Sequence, residues 1–511
     1  MPYLWKPVTY EIGVDEVKPK VRCKSCTSLL PILIWLKKEF GDVEIHTSII
    51  ILDSVIDWQK QGCYKEGKDK ERNQCRECFE RFGDILTKAA NASSYAELKQ
   101  HVTDFTKSFV QCVADKIACS VDGEERKCSE TLSNELKNLQ IVVAPAIGRP
   151  GGTWFFIGRI QDYEIAVLRE MSSRLLSTPY TRIIVDLTHG VNFMPSITTR
   201  IVPRIASTLL LAHKDVSSSS VEVWLYNSDP IPPSVTESTM ININEAAYTN
   251  VKSIELVHSI ASKFAYAWDR KYNRIEEELN KTMSDKARKA LRILRPLYSA
   301  LYYPMPLALY TLACTKCKDL DALSSVEERV FSAIEIHRDK HEIVRPLTID
   351  SDTYYVYLSL KALCKRISPL CEEVGKEASP SIDIEALENG IAPIYALIHA
   401  SYRELIMHEL SSIKRGYKAL MQKCQTLQGS YISLAELEAI RIEEEKEKNE
   451  GKKEERMDKR IMIAHAGLQK QFVEVLIDIK PRFRYKLSIE ELEKKLDEAN
   501  LLIEFTQVKK H

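Results

Sequence analysis

The chain has 511 residues, and its 72 Lys and Arg balance 72 Asp and Glu to a formal net charge of zero. Hydrophobic residues at 44% and charged residues at 28% are ordinary globular proportions, which excludes a disordered, collagen-like or supercharged chain. The length fits about two to four domains. The neutral balance gives no overall basic surface, so any nucleotide or RNA reading must rest on particular residues.

The opening Met1-Pro2-Tyr3-Leu4-Trp5-Lys6 lacks the basic, apolar and small-residue order of a secretory signal, which predicts an intracellular, cytoplasmic protein. Four β-branched runs follow. They are Ile49-Ile50-Ile51-Leu52 before Asp53, Ile141-Val142-Val143-Ala144 before Pro145, Ile183-Ile184-Val185 before Asp186, and Val221-Glu222-Val223-Trp224-Leu225-Tyr226 before Asn227-Ser228-Asp229-Pro230. Separated by helix-length segments, they predict an α/β region over 1–246 built on a parallel sheet covered on both faces. A polar, Cys-rich stretch at 57–139 predicts a helical insertion in that region.

Thirteen cysteines are many for a cytosolic chain, and Cys23/Cys26, Cys75/Cys78 and Cys314/Cys317 have CxxC spacing. Packing thiols, disulfides of the kind found in intracellular hyperthermophile proteins, and a tetrahedral metal site are all compatible with that pattern. None of the chemistry below needs them.

After residue 246 the strand signals largely stop. Amphipathic patterning over Val251–Leu294 and from Ser324 onward predicts a helical connector at 247–345 and an all-α region at 346–511. Pro296 to Thr315 carries no charge over 20 residues, but Pro296, Pro304 and Pro306 make it a poor membrane helix and predict a buried connection between domains. His337 and His341 have i, i+4 spacing with no carboxylate placed as a zincin base, and are expected on a solvated helix or loop. From Glu443 to Arg460, 15 of 18 residues are charged with mixed sign, the pattern of a solvated helix or loop rather than an RNA-binding arm.

Two short runs carry chemistry. In Val185-Asp186-Leu187-Thr188-His189-Gly190-Val191-Asn192-Phe193, a buried strand runs into a glycine turn and then a helix starting near Pro195 or Ser196. Ligands of open α/β sheets bind beyond the carboxyl ends of strands, and free N–H groups at a helix start favour phosphate. Thr188, His189 and Asn192 add donors and acceptors for a ribose or base, and Asn227 and Ser228 end a strand on the same rim. A plain strand-to-helix turn is the other reading of these residues. The second run is Arg460-Ile461-Met462-Ile463-Ala464-His465-Ala466-Gly467-Leu468. RNA brings its own nucleophile, the 2′-hydroxyl, so a nuclease needs a proton-transfer group near neutrality and a cation for the phosphate; His and Arg suit these roles. Arg460 and His465 are five apart, about 140° around an ideal helix, so they do not share a face. They converge if the motif straddles a helix start or if two copies meet in a dimer. A helix histidine packed beside Ala464 and Leu468 is the alternative for His465 taken alone.

Together, in this order, Asp-Leu-Thr-His-Gly-Val-Asn-Phe and Arg-x4-His-Ala-Gly resemble the ligand loop and active-site motif of the CRISPR-associated CARF–HEPN ribonucleases, ancillary effectors of type III CRISPR systems. Trp5-Lys6-Pro7-Val8-Thr9-Tyr10, Thr27-Ser28-Leu29 and Gly152-Thr153-Trp154-Phe155 are smaller matches. The family often carries a polar residue, Asn among them, where this chain has Ile461. The resemblance implies an α/β plus all-α architecture: a Rossmann-like CARF domain, a helical connector and a helical HEPN domain. It also implies a β-strand ahead of the Trp5 segment, which is expected to be missing from the sheet or to lie upstream of Met1. Arg460 and His465 from two chains would form one composite, metal-independent site cleaving single-stranded RNA to a 2′,3′-cyclic phosphate and a 5′-hydroxyl. Thr27, Ser28, Thr188, His189, Gly190, Asn192, Asn227 and Ser228 would bind a cyclic oligoadenylate activator, with the tetra-adenylate the expected ring, across the two-fold axis of a homodimer or larger even-numbered oligomer. No membrane partner is implied. Two rivals stand beside this reading: a catalytically silent sensor, and a ring nuclease that cuts the cyclic ligand with Thr188 and His189.

Overall fold

The computed structural model describes residues 7–13, 20–41, 43–57, 74–189, 193–229, 240–371, 379–423, 429–437, 459–478 and 480–507. Its first half carries ten strands: β1 (Val8–Ile12), β2 (Val21–Ser25), β3 (Ser48–Leu52), β4 (Ala118–Val121), β5 (Glu124–Lys127), β6 (Gln140–Ala144), β7 (Phe155–Ile157), β8 (Arg182–Asp186), β9 (Val221–Ser228) and β10 (Met240–Val251). Seven of them form one sheet in the order β5-β4-β2-β1-β10-β9-β8, while β3 and β6 pair separately.

All four β-branched runs are strands, and the pairs β3/β6 and β8/β9 are parallel. The expected all-parallel sheet is nevertheless mixed. β10 lies antiparallel to β9 and parallel to β1, and β1 is antiparallel to β2. The local sequences agree with this division. β6 is apolar and buried from Ile141 to Ala144, as a covered parallel strand should be. β2 alternates, with Val21, Cys23 and Ser25 buried and Arg22 and Lys24 exposed, as a half-solvated antiparallel strand should be. The strand implied ahead of Trp5 has no counterpart among the described residues. The first described strand is β1, and β3 and β8 each keep one edge without a partner strand among those residues.

The helical insertion is present as α2 (Gln74–Ala90) and α3 (Tyr95–Lys116), followed by the β4–β5 hairpin that extends the sheet beyond β2. Phe79 of α2 packs edge-on against Phe105 and Phe109 of α3, and Ser94 caps α3 by accepting from Glu97 N. Among the described residues, ten cysteines form five disulfides: Cys23–Cys119, Cys26–Cys75, Cys78–Cys112, Cys314–Cys371 and Cys317–Cys364. No CxxC pair closes on itself; each member reaches a remote partner. Cys128 keeps a free thiol that burial pushes up to about 12.

The second half is helical, with short strands added. Helices expected from Val251 begin at Asn273; before them lie Ser259–Ala261, paired with Glu504–Thr506, and Ala265–Ala267, paired with Leu347–Ile349. Such three-residue strands are decided by their remote partners rather than by a local period. A four-stranded antiparallel sheet of Ile382–Asp383, Arg482–Tyr485, Val473–Leu476 and Tyr431–Ser433 packs within the C-terminal region. Pro296–Thr315 spans the end of the helix Asp285–Tyr302 and most of the helix Pro306–Leu320, with Leu307, Ala308, Leu309 and Leu312 fully buried. Among the described residues no helix is long and apolar enough to cross a membrane. His337 ends a strand and His341 lies in the turn to Glu342–Val344, with φ of 53°, so the pair sits on a hairpin rather than a helix.

That hairpin joins the two halves. Glu342–Val344 adds to β7 in parallel, and the next residue, Arg345, is buried against Asp53. Asp53 also accepts from Tyr95 Oη at 2.9 Å and from Ala146 N at 2.8 Å. A second buried guanidinium, Arg204, binds Glu164 at 2.8 Å, Ser351 Oγ at 2.9 Å and Asp352 at 2.5 Å. Buried charges are tolerated only when paired and hydrogen-bonded in this way, so both arginines fix the register between the halves.

Candidate functional site

The carboxyl end of β8 carries the first cluster. Asp186 lies beside Tyr226 in register, and its two oxygens gather the surrounding loops. Oδ1 accepts from Thr188 N at 2.9 Å, and Oδ2 accepts from the Ser28 hydroxyl at 2.5 Å. Ser28 precedes α1 (Leu29–Phe40), so the bond ties the start of that helix to the end of β8. Thr27 shapes the same loop, its hydroxyl accepting from Leu29 N at 3.2 Å.

His189 packs into this cluster with Nε2 at 3.0 Å from Tyr10 Oη and 3.4 Å from Ser28 N. A backbone N–H can only donate, so Nε2 presents its lone pair and the ring proton sits on Nδ1. Burial lowers the His189 pKa below its ordinary 6.5, against an opposing pull from Asp186, so the ring favours the neutral form. Burial raises the Tyr10 phenol well above its ordinary value, with Asp186 adding to the effect. Thr188 Oγ1 is buried and has no hydrogen-bond partner among the described residues. Leaving such a group unmet costs about 1–3 kcal/mol, so it is a ready partner for a ligand atom.

Asn227 and Ser228 reach the same rim on the neighbouring strand but belong to a different cluster. Asn227 Oδ1 accepts from Ser228 N at 3.0 Å, and Ser228 Oγ donates to Asp229 O at 2.9 Å. Asp229 is held by the Asn242 and Asn244 side chains at 3.0 and 2.9 Å. Gly190 and Asn192 lie outside the described residues. The structure therefore brings Ser28, Thr188 and His189 together around Asp186, with Thr27 beside them. Tyr10 and Asp186 were absent from the sequence-based site. Asp186 is in the motif itself, and Tyr10 ends the Trp5–Tyr10 match.

The second cluster is in the C-terminal region. Arg460 is exposed near the start of the described helix Lys459–Ala464, and His465 follows its last residue. The motif thus ends at a helix terminus, where the sequence reasoning allowed for a helix start. Ala466 N donates to Ile463 O at 3.2 Å and Gly467 N to Met462 O at 2.7 Å, a Schellman closure that makes His465 the C-cap. Ala466 and Gly467 adopt φ of 49° and 74°. Gly467 is required twice over, because a Cβ there would lie 2.9 Å from Met305 Cβ. Tyr485 Oη donates to Gly467 O at 2.9 Å, and Met462, Ala466 and Leu468 are buried beneath. The Ala-His-Ala-Gly run is in this sense a backbone device that holds one imidazole at a fixed place. The ring is 39% exposed, and its Nδ1 lies 3.1 Å from Glu409 Oε2 on the helix Ala400–Lys423. Sequence reasoning missed Glu409, which lies 56 positions away with no spacing rule to mark it. Ile461 is exposed beside Arg460.

Both clusters fall within segments that match known protein families. Residues 2–230 match the family model described as the CARF domain of CRISPR system endoribonuclease Csx1, and residues 400–487 match the model of its HEPN domain. The chain is also 25% identical over 375 residues to a CRISPR system endoribonuclease Csx1 from Methanocaldococcus jannaschii, covering 68% of this chain and 70% of that protein. The Asp186 cluster falls inside the first match, and both Glu409 and His465 fall inside the second. The chain belongs to the family of CRISPR-associated CARF–HEPN endoribonucleases.

Proposed function

We propose that the protein is a metal-independent endoribonuclease of single-stranded RNA, switched on by a cyclic oligoadenylate, in type III CRISPR antiviral defence. The observation that carries this reading is the Arg460–His465 segment, its imidazole set on a closed helix cap within the HEPN match. In this account, residues 1–246 are the sensor with its Cys-rich insertion at 57–139, 247–345 the connector and 346–511 the nuclease. Two protomers bring their Arg460 and His465 to one cleft, which answers the roughly 140° that separates the pair around one helix. An imidazole takes the 2′-hydroxyl proton as that oxygen attacks phosphorus. Arg460 stabilises the charge on the non-bridging oxygens, and an imidazolium returns a proton to the departing 5′-oxygen. The products are a 2′,3′-cyclic phosphate and a 5′-hydroxyl.

The activator, with cyclic tetra-adenylate the expected ring, lies against Ser28, Thr188 and His189. The Thr188 hydroxyl, unmet among the described residues, suits a ribose or base atom, and His189 lies beside it. Gly190, Asn192, Asn227, Ser228 and Thr27 complete the surface in this reading. Activation requires tighter binding of the ring to the arrangement in which the two nuclease domains are aligned. The test is cleavage of a fluorogenic single-stranded RNA in EDTA, with and without cyclic tetra-adenylate, for wild type and His465→Ala. The expected result is ligand-stimulated, EDTA-resistant cleavage that His465→Ala loses. Cleavage surviving in the variant would place the chemistry elsewhere.

A further inference from the structure

We infer that Glu409 is a positioning residue for His465, its carboxylate fixing the tautomer and direction of the imidazole so that Nε2 faces the RNA. The inference rests on the nuclease reading above and names a residue that reading does not contain. Glu409 Oε2 lies 3.1 Å from His465 Nδ1. An ionised carboxylate only accepts, so the contact requires the proton on Nδ1 and leaves the Nε2 lone pair for the 2′-hydroxyl. The same carboxylate stabilises the imidazolium formed when that proton arrives, which is the task of the acid in a Ser-His-Asp triad.

Both sides of the contact are rigid. Glu409 is 18% exposed on a helix whose Ile406 and Leu410 are fully buried, and His465 caps a helix pinned by Met462, Ala466 and Leu468. The ring itself is 39% exposed, so it stays accessible to substrate while Nδ1 is anchored. His408 lies 3.7 Å from the other carboxylate oxygen, Oε1, but is itself 75% exposed. Nothing about that looser contact competes for Oε2.

The test compares wild type, Glu409→Gln, Glu409→Ala and His465→Ala in steady-state RNA cleavage with saturating cyclic tetra-adenylate, beside thermal unfolding of each. Gln keeps an acceptor for Nδ1–H but loses the charge; Ala loses both. Glu409→Ala is expected to lower kcat on the order of a hundredfold with KM unchanged, and Glu409→Gln to recover part of that loss. In 15N spectra the His465 ring should read as the Nδ1–H tautomer in wild type and in Glu409→Gln, and as a mixture in Glu409→Ala. Wild-type kcat in Glu409→Ala and Glu409→Gln, with His465→Ala inactive, would overturn this inference and leave the nuclease reading standing. A loss confined to KM would also overturn it, by making Glu409 a substrate contact. If Glu409→Ala fails to fold, Glu409→Gln decides: a wild-type rate and a mixed tautomer there would sink the idea. Undiminished cleavage in His465→Ala would instead remove the reading on which the inference rests.

Discussion

The two histidines singled out by the motifs, His189 and His465, sit in opposite environments. His189 is enclosed, its Nε2 taken up by the Ser28 N–H and the Tyr10 hydroxyl, and its charged form is disfavoured by burial. His465 is 39% exposed, and among the described residues its ring is held at Nδ1 by a carboxylate. A proton-transfer group needs one nitrogen free to reach substrate and a partner that tolerates the charged form. Only the second arrangement offers both. The first suits a shape-holding and ligand-facing role, and weighs against the ring-nuclease rival in which His189 is catalytic.

The largest expected effect follows from this contrast. His465→Ala should lower the cleavage rate by about 10²- to 10⁴-fold while leaving the Kd for cyclic tetra-adenylate unchanged. His189→Ala should do the reverse, raising that Kd while saturating ligand restores cleavage. Loss of cleavage at saturating ligand in His189→Ala would erase the distinction between the sites. The junction between them comes next. Arg345→Met leaves Asp53 buried without its cation and should cost about 3–5 kcal/mol in denaturant unfolding. The double variant Arg345→Met/Asp53→Leu should recover much of that loss, because an apolar pair carries no unpaired charge. A smaller effect separates the disulfides. Replacing Cys26 and Cys75 by Ser should cost about 2–4 kcal/mol and also raise the activator Kd, because Cys26 lies two residues before Ser28. Replacing Cys314 and Cys371 should cost a similar amount with the Kd unchanged.

What the sequence could reveal divided along physical lines. Runs such as Ile49–Leu52 and Ile183–Val185 announce buried strands because their apolar, β-branched composition is local. β10 was missed because Asn244 to Asn250 are exposed and carry no apolar period. The three-residue strands Ser259–Ala261 and Ala265–Ala267 exist only through partners at least 80 positions away. The same rule governs the sites. Thr188, His189 and His465 lie in contiguous motifs and could be named, whereas the tie from Asp186 to Ser28 spans 158 positions. Glu409 and Tyr10 are contacts across the fold, and no residue spacing in the chain encodes them. The CxxC spacings left the cysteine chemistry open for a comparable reason, since each sulfur bonds at a distance rather than within its pair.

The smallest effect tests the environment of His189 directly. Its folded pKa is below the ordinary 6.5, so between those two values the unfolded chain binds a proton that the folded chain does not. Stability therefore rises with pH across that window: the contribution of neutral His189 is intact above 6.5 and is lost as pH falls toward the folded value. Lowering the pH from 7.5 to 5.5 should depress the thermal midpoint and weaken activator binding, and His189→Gln should flatten both dependences. Gln keeps an acceptor for the Ser28 N–H without a titrating ring. An unchanged slope in His189→Gln would assign the pH sensitivity to other groups and would remove the electrostatic half of the contrast with His465. A flattened slope would establish that the sensor holds its histidine neutral, with Nε2 kept as the acceptor for the Ser28 N–H.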